Sequence, residues 1–182
     1  SQLQTCVLTS IGDVYCVGGN TYGQVGDGTT TDRSTPVKVN VSSIKFLYAS
    51  DQYTYAITTS GQLKMWGYAN DHAAMLKGTG GNKLSPYDVV GMTDLVEISG
   101  DIFASCFRRS NGSTECWGNN NLRQLGRNNT SNSYFALPAA PTGIASGSAV
   151  RIVSRDSGDS HAVITTSGTY KTWGANFGAS GY

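Results

Sequence analysis

Thr5-Cys6-Val7-Leu8-Thr9, Ser10-Ile11-Gly12 and Asp13-Val14-Tyr15-Cys16-Val17-Gly18 read in succession as a strand, a three-residue turn and a returning strand. The arrangement restarts at Thr54, Ser105 and His161, and in all four copies the third turn residue is glycine: Gly12, Gly61, Gly112 and Gly168. A three-residue hairpin loop commonly ends on a left-handed residue, a conformation glycine adopts without a Cβ penalty. Each hairpin closes on Trp-Gly or its equivalent, at Val17-Gly18, Trp66-Gly67, Trp117-Gly118 and Trp173-Gly174, with separations of 49, 51 and 56 residues. A period of about 50 residues is that of propeller-type repeats.

Further strands flank the hairpins. Short alternating segments at 44–49, 95–99 and 150–154 precede the second, third and fourth copies, and Pro36-Val37-Lys38-Val39 and Pro86-Tyr87-Asp88-Val89 follow the first and second. Proline has no N–H for a ladder, so these last segments suit a strand start or a sheet edge. About four strands per period predict an all-β chain: a β-propeller of four-stranded antiparallel blades, three and a half to four repeats long, with Trp66, Trp117 and Trp173 wedged between blades. The expected organisation is one propeller-type domain over 1–182, with repeats at about 1–43, 44–94, 95–149 and 150–182, forming part of a longer chain.

Composition agrees with that class. With 23 glycines and only 14% charged residues, the sequence favours tight turns between short strands over salt-bridged helices. A formal charge of +1 with dispersed basic residues supplies no track for phosphates, which argues against a nucleic-acid partner. No apolar run approaches the roughly 20 residues needed to cross a bilayer as a helix, so membrane insertion is not expected.

The segment after the first hairpin, Gly18-Gly19-Asn20-Thr21-Tyr22-Gly23-Gln24-Val25-Gly26-Asp27-Gly28-Thr29-Thr30, resembles the repeat of the regulator of chromosome condensation family, which runs Trp-Gly, Asn, aromatic, Gly-Gln-Leu-Gly and Asp-Gly-Thr. Val17 stands where that pattern has Trp. The third repeat carries Trp117-Gly118, Asn120 and Gln124-Leu125-Gly126, an offset of 100 residues. Repeats two and four depart from it: Asn70 is followed by Asp71-His72-Ala73-Ala74-Met75-Leu76, and the fourth shortens to Asn176-Phe177-Gly178-Ala179-Ser180-Gly181. The resemblance implies a seven-bladed parent ring, of which this sequence supplies part. A four-bladed closure, a fragment of a larger propeller and a homo-oligomer remain open, because unpaired strand edges at both ends invite closure or association.

Cys6 and Cys16, and Cys106 and Cys116, are each ten residues apart and face each other across their hairpins. Cross-strand Cα separations of about 4.5–5.5 Å lie within disulfide range, so two bridges are expected. Reduced core thiols and a zinc site are the alternatives; the second would need close Cys-x-x-Cys pairs that converge. Equivalent positions in the other copies hold Tyr55 with Met65 and Ala162 with Thr172, so cysteine comes and goes as a pair, which favours bonding and an extracellular or cell-surface setting.

No catalytic constellation, metal ladder or cofactor loop emerges. His161 is expected to hydrogen-bond where its strand begins, and Asp27-Gly28 reads as a turn in place of a calcium loop. The loops that depart most from the repeat, 68–85 and 119–141, gather Tyr68, Asp71, His72, Lys77, Arg123, Arg127, Tyr134 and Phe135, the aromatic and cationic types that dominate binding hot spots. The expected function is therefore an extracellular recognition module, such as the tip of a bacterial surface or fibre-like adhesin, that binds a protein or glycan on a cell surface without enzyme activity. The family resemblance also implies two alternatives: a secreted propeller acting as a protein inhibitor, as in β-lactamase inhibition, and guanine-nucleotide exchange on a small nuclear GTPase. A second loop, around Tyr22 and Arg33, is the fallback site.

Overall fold

The computed structural model describes residues 3–68, 81–100, 104–127, 141–154 and 160–174, which contain thirteen strands and no helix. The chain divides into two compact units, Ser1–Asn70 with Leu76–Leu95, and Asp71–Met75 with Val96–Tyr182.

In unit 1, β1 (Gln4–Leu8), β2 (Val14–Gly18) and β3 (Arg33–Lys38) form one sheet, and β4 (Ile44–Ala49), β5 (Tyr53–Thr58), β6 (Leu63–Gly67) and β7 (Lys83–Asp88) form a second. Both are antiparallel meanders in chain order. The second is the full four-stranded blade; the first has three strands among the described residues. Pro36 and Pro86 lie inside edge strands, between the register points Gly18↔Arg33 and Cys16↔Val37, and Gly67↔Lys83 and Met65↔Tyr87. Both intervals are bulged, and a bulge is where a residue without an N–H costs the ladder nothing. The core gathers Val14, Cys16, Val25 and Val39 from the first repeat with Ile44, Ala56 and Trp66 from the second.

Unit 2 contains a sheet of β8 (Leu95–Gly100), β9 (Ala104–Arg109) and β10 (Thr114–Gly118) and another of β11 (Ala149–Ser154), β12 (Ser160–Thr165) and β13 (Tyr170–Gly174). Its core contains Ala104, Cys106, Cys116, Leu125, Ala149, Ile152 and Val163, with Trp173 packed against it. Glu97 bonds Arg108 Nε at 3.1 Å, Arg151 Nε at 3.3 Å and the Ile152 N–H at 3.1 Å, joining the unit's two sheets through one largely buried carboxylate. Charge-assisted bonds from two guanidiniums and an amide offset the cost of burying it.

Four hairpin tips share one geometry. The N–H groups of Gly12, Gly61, Gly112 and Gly168 donate to the carbonyls of Thr9, Thr58, Arg109 and Thr165 at 2.9–3.0 Å. All four glycines have positive φ, from 77° to 89°. The Gly12 carbonyl also accepts from Ile44 N at 3.1 Å and the Gly112 carbonyl from Ala149 N at 3.2 Å, which joins each of these tips to the next sheet of its unit. A Cβ on Gly12 would sit 3.0 Å from Ile44 N, and one on Gly112 2.8 Å from the Gly147 carbonyl oxygen, whereas one on Gly168 would meet nothing within 4 Å.

Across the first and third hairpins, Cys6 pairs with Cys16 and Cys106 with Cys116. Each pair is joined by a disulfide, with Cα atoms 4.2 and 4.1 Å apart, near the spacing of a non-hydrogen-bonded cross-strand pair (about 4.5 Å). Tyr55↔Met65 and Ala162↔Thr172 occupy the same register in the other two hairpins.

Alanine at Gly12 or Gly112 is expected to lower stability by about 2–3 kcal/mol, since it adds left-handed strain to a clash with backbone. At Gly168 only the strain applies, and the loss should be about 1–2 kcal/mol. Urea-unfolding midpoints of the three variants test the ranking; equal losses would mean the neighbouring strands give way freely. Intact-mass measurement after alkylation should show no adducts on the native protein and one on each of the four cysteines after reduction.

Candidate functional site

In the loop following β2, Asn20 and Gln24 are fully buried. The Asn20 amide donates to the carbonyls of Thr29 at 3.0 Å and Thr31 at 3.1 Å and to Asp27 Oδ1 at 3.1 Å, while its oxygen accepts from Val25 N at 2.9 Å. Its own N–H donates to Asp32 Oδ1 at 2.8 Å. Gln24 Oε1 accepts from Tyr22 N at 2.9 Å. One asparagine thus satisfies backbone groups on both limbs of the loop, which a buried irregular segment requires.

The Gln24 carbonyl accepts from the Trp66 indole N–H and from the Thr54 hydroxyl, both at 3.0 Å. A Cβ on Gly26 would lie 2.5 Å from the indole nitrogen. The expected wedging of Trp66 therefore has a polar component: the indole packs on a bare glycine and donates to the carbonyl two residues before it. Unit 2 repeats the device. Leu125 N donates to Asn120 Oδ1 and Leu122 N to Gln124 Oε1, both at 2.9 Å, and the Trp173 indole donates to the Gln124 carbonyl at 2.9 Å.

Asp27 is spent within its own loop. Burial raises its pKa, but bonds from the Thr29 hydroxyl and backbone, from Arg33 and from Asn20 outweigh that and hold the carboxyl below its ordinary value. With Asp32 bonded to Asn20 N, the acidic pair serves the turn. Among the described residues no group of three or more His, Cys, Asp or Glu side chains is placed to hold a metal. His161 is buried, with Nδ1 2.6 Å from the Ser154 hydroxyl and its ring 5.9 Å from that of Trp173. It holds the start of β12 to the end of β11.

The sequence candidates fall in three places. Asp71, His72, Lys77, Tyr134 and Phe135 lie outside the described residues. Tyr68, in unit 1, packs on Tyr22 with ring centroids 4.6 Å apart. Arg33, expected near Tyr22 as a fallback contact, is committed to Asp27. Arg123 and Arg127, in unit 2, line one cavity of about 620 Å³ together with Ile144, Lys171 and Trp173. Arg127 Nη2 donates to the Cys116 carbonyl at 3.1 Å, and burial lowers its pKa from the ordinary arginine value. Lys171 reaches the Gly143 carbonyl.

Neither Lys171 nor Trp173 was visible as a site residue in the sequence, because Lys171 reads as an ordinary strand position and Trp173 as a tryptophan packed between blades. The signal that existed lay in the loop. Gly23 and Asp27 of repeat one correspond to Arg123 and Arg127 of repeat three, and Arg123 has φ 62° where Gly23 has φ 81°. A side chain in that region costs about 1–2 kcal/mol. Ser43 and Asp94 also have positive φ, but their side chains are short.

A family model of the regulator of chromosome condensation (RCC1) repeat matches residues 12–57 and 112–165. The RCC1 domain-containing protein RUG3, mitochondrial, of Arabidopsis thaliana is 29% identical over 183 residues, covering 94% of this chain and 40% of that protein. Human WBSCR16 shares the fold with a TM-score of 0.74 at 18% identity, over 94% of this chain and 44% of its own. Prp20p of Saccharomyces cerevisiae does so with a TM-score of 0.73 at 21% identity, over 96% and 43%. The chain spans about two fifths of the length of these relatives.

A carboxylate whose pKa is depressed on folding contributes stability above its unfolded pKa and loses it as pH falls through the folded value. Asp27→Asn should therefore destabilise the protein at neutral pH, with the difference from wild type fading below about pH 4. Urea unfolding at a series of pH values reads the difference directly, and a constant gap down to about pH 2.5 would show that the charge is not what matters.

Proposed function

The chain belongs to the regulator of chromosome condensation (RCC1) repeat family, and from that membership we propose that it is a binding module whose loops engage a protein partner outside the cell or at its surface. The observation that carries this reading is the frame of buried Asn20, Gln24, Asn120 and Gln124 under the loops. Loops held by internal hydrogen bonds lose little conformational entropy when a partner arrives, and a rigid scaffold with variable loops is how many folds bind. Protein binding is also the property by which Prp20p is described, its ligands being Gsp1p and histones.

Two disulfides, Cys6–Cys16 and Cys106–Cys116, suit an oxidising environment and support the extracellular placement over a nuclear one. In its finer form the reading is the recognition tip of a surface or fibre-like adhesin, with a cell-surface protein or glycan as target. Tyr68, Asp71, His72, Lys77, Arg123, Arg127, Tyr134 and Phe135 are the proposed contacts. We read the module as binding without catalysis.

A panel of extracellular proteins and a glycan array, probed with the purified chain, should return a saturable protein ligand. Alanine replacement of Tyr134 with Phe135, and separately of Asp71 with His72, should weaken that binding by about tenfold or more while leaving the melting temperature nearly unchanged. Binding that survives both double replacements would remove those loops from the site. Stimulated GDP release from a small GTPase, with no extracellular ligand, would overturn the reading in favour of exchange.

A further inference from the structure

We propose that Asn111 and Asn40 are acceptors for N-linked glycans, placed at the ends of their sheets opposite the buried Asn–Gln loops. The inference rests on the extracellular placement and adds a modification to it. Asn111-Gly112-Ser113 and Asn40-Val41-Ser42 both have the Asn-x-Ser form that marks an acceptor in a secreted chain. Asn128-Asn129-Thr130 and Asn129-Thr130-Ser131 match the same rule and lie outside the described residues.

Asn111 is the exposed tip of the β9–β10 hairpin. Its Oδ1 accepts from Ser113 N at 2.9 Å, an Asx turn that uses the oxygen and leaves the amide nitrogen without a partner among the described residues. A glycan on that nitrogen breaks no bond of the folded hairpin. The equivalent tip positions hold Ile11, Ser60 and Ser167, so this acceptor is particular to the third hairpin. Asn20 is the opposite case, buried with its amide nitrogen committed to Thr29, Thr31 and Asp27. Asn40, two residues past β3, is exposed together with Ser42, and its side chain makes no hydrogen bond among the described residues.

The strands fix where the glycans would stand. In unit 2, β10 leads from the Asn111 tip to the loop of Asn120 and Gln124. In unit 1, β2 leads from the Gly12 tip to the loop of Asn20 and Gln24, and β3 returns with Lys38 opposite Tyr15, so Asn40 lies at the tip end. A five-residue strand is about 16 Å long, which separates each acceptor from the loop at the far end of its sheet. Bulky, solubilising glycans there cover one end of a sheet and leave the binding loops open. The Cys106–Cys116 bridge of the same hairpin calls for an oxidising compartment, and the secretory lumen that forms such bridges is where the glycan is transferred. In that transfer the side-chain nitrogen bonds to the anomeric carbon of an oligosaccharide carried on a polyprenyl diphosphate. The bond from that carbon to the diphosphate breaks, and the amide loses one proton as the lipid diphosphate leaves.

The test secretes the whole chain from a mammalian cell line and compares its intact mass before and after peptide N-glycosidase, with peptide mapping to assign each site. The enzyme should lower the mass, and the map should read Asn111 and Asn40 as aspartate after release. Ser113→Ala keeps the backbone N–H that Asn111 accepts, so it should abolish the glycan at Asn111 while the disulfides still form, and Ser113→Thr should retain it. Binding of a protein ligand should differ by less than about twofold between the glycosylated and the enzymatically released protein. A secreted, disulfide-bonded chain bare at Asn111 and Asn40 would overturn the proposal, and a glycan that blocks ligand binding would overturn the placement opposite the loops. A ligand bound by a chain bare at both positions would leave the module reading intact without the glycans. Glycans at both positions, with no protein ligand found, would do the reverse.

Discussion

In each unit a glutamine carbonyl ties a loop to the sheet of the following repeat. The Gln24 carbonyl takes the Trp66 indole N–H and the Thr54 hydroxyl, and the Gln124 carbonyl takes the Trp173 indole N–H. The rest of the architecture is arranged around that bond. Gly26 leaves room for the indole, Asn20 and the Gln24 side chain close the loop so that the carbonyl points the right way, and β5 and β6 bring Thr54 and Trp66 into register opposite each other. An indole that is buried must find an acceptor, and here the acceptor comes from the neighbouring repeat. The Trp66 ring therefore provides both the apolar contact and the directional one, which sets how successive sheets pack within a unit.

A frame built this way leaves the outer loop residues free to change. Asn20 and Asn120 perform the same closure, yet what they close differs in charge: Gly23 and Asp27 in one case, Arg123 and Arg127 in the other. The Asp27 loop is electrostatically self-contained through Thr29, Asn20 and Arg33. The Arg127 loop turns a guanidinium inward to the Cys116 carbonyl and borders a cavity. Both use the same backbone hydrogen bonds, so the difference lies in what each can do to a partner.

The disulfides belong to the cores and not to this frame. Cys16, Cys106 and Cys116 are buried among apolar residues, and the same cross-strand pair is filled by Tyr55 with Met65 or Ala162 with Thr172 in the other hairpins. A bridge that closes only ten residues stabilises by less than about 3 kcal/mol, and the packing that replaces it elsewhere shows the hairpin can form without it. The bridges thus reinforce two hairpins and speak chiefly to the environment the chain is built for.

Short-range periodicity carried most of the fold in the sequence itself. Four hairpins were legible from Gly12, Gly61, Gly112 and Gly168, because a positive φ at a turn is a local demand that only glycine meets cheaply, and the cross-strand cysteine register followed from the turn position. The Asn and Gln of the post-Trp loop were legible as a recurring pattern, but their work was not, since the Asn20 side chain bonds residues up to eleven positions ahead and the Gln24 carbonyl meets an indole 42 positions away. Only the tertiary structure brought Lys171 and Trp173 to Arg123 and Arg127, joining a strand to a loop more than 40 residues earlier. Local patterning specifies which backbone each segment adopts; which charges end up around one cavity depends on how the sheets stack, and that depends on contacts between segments far apart in the chain.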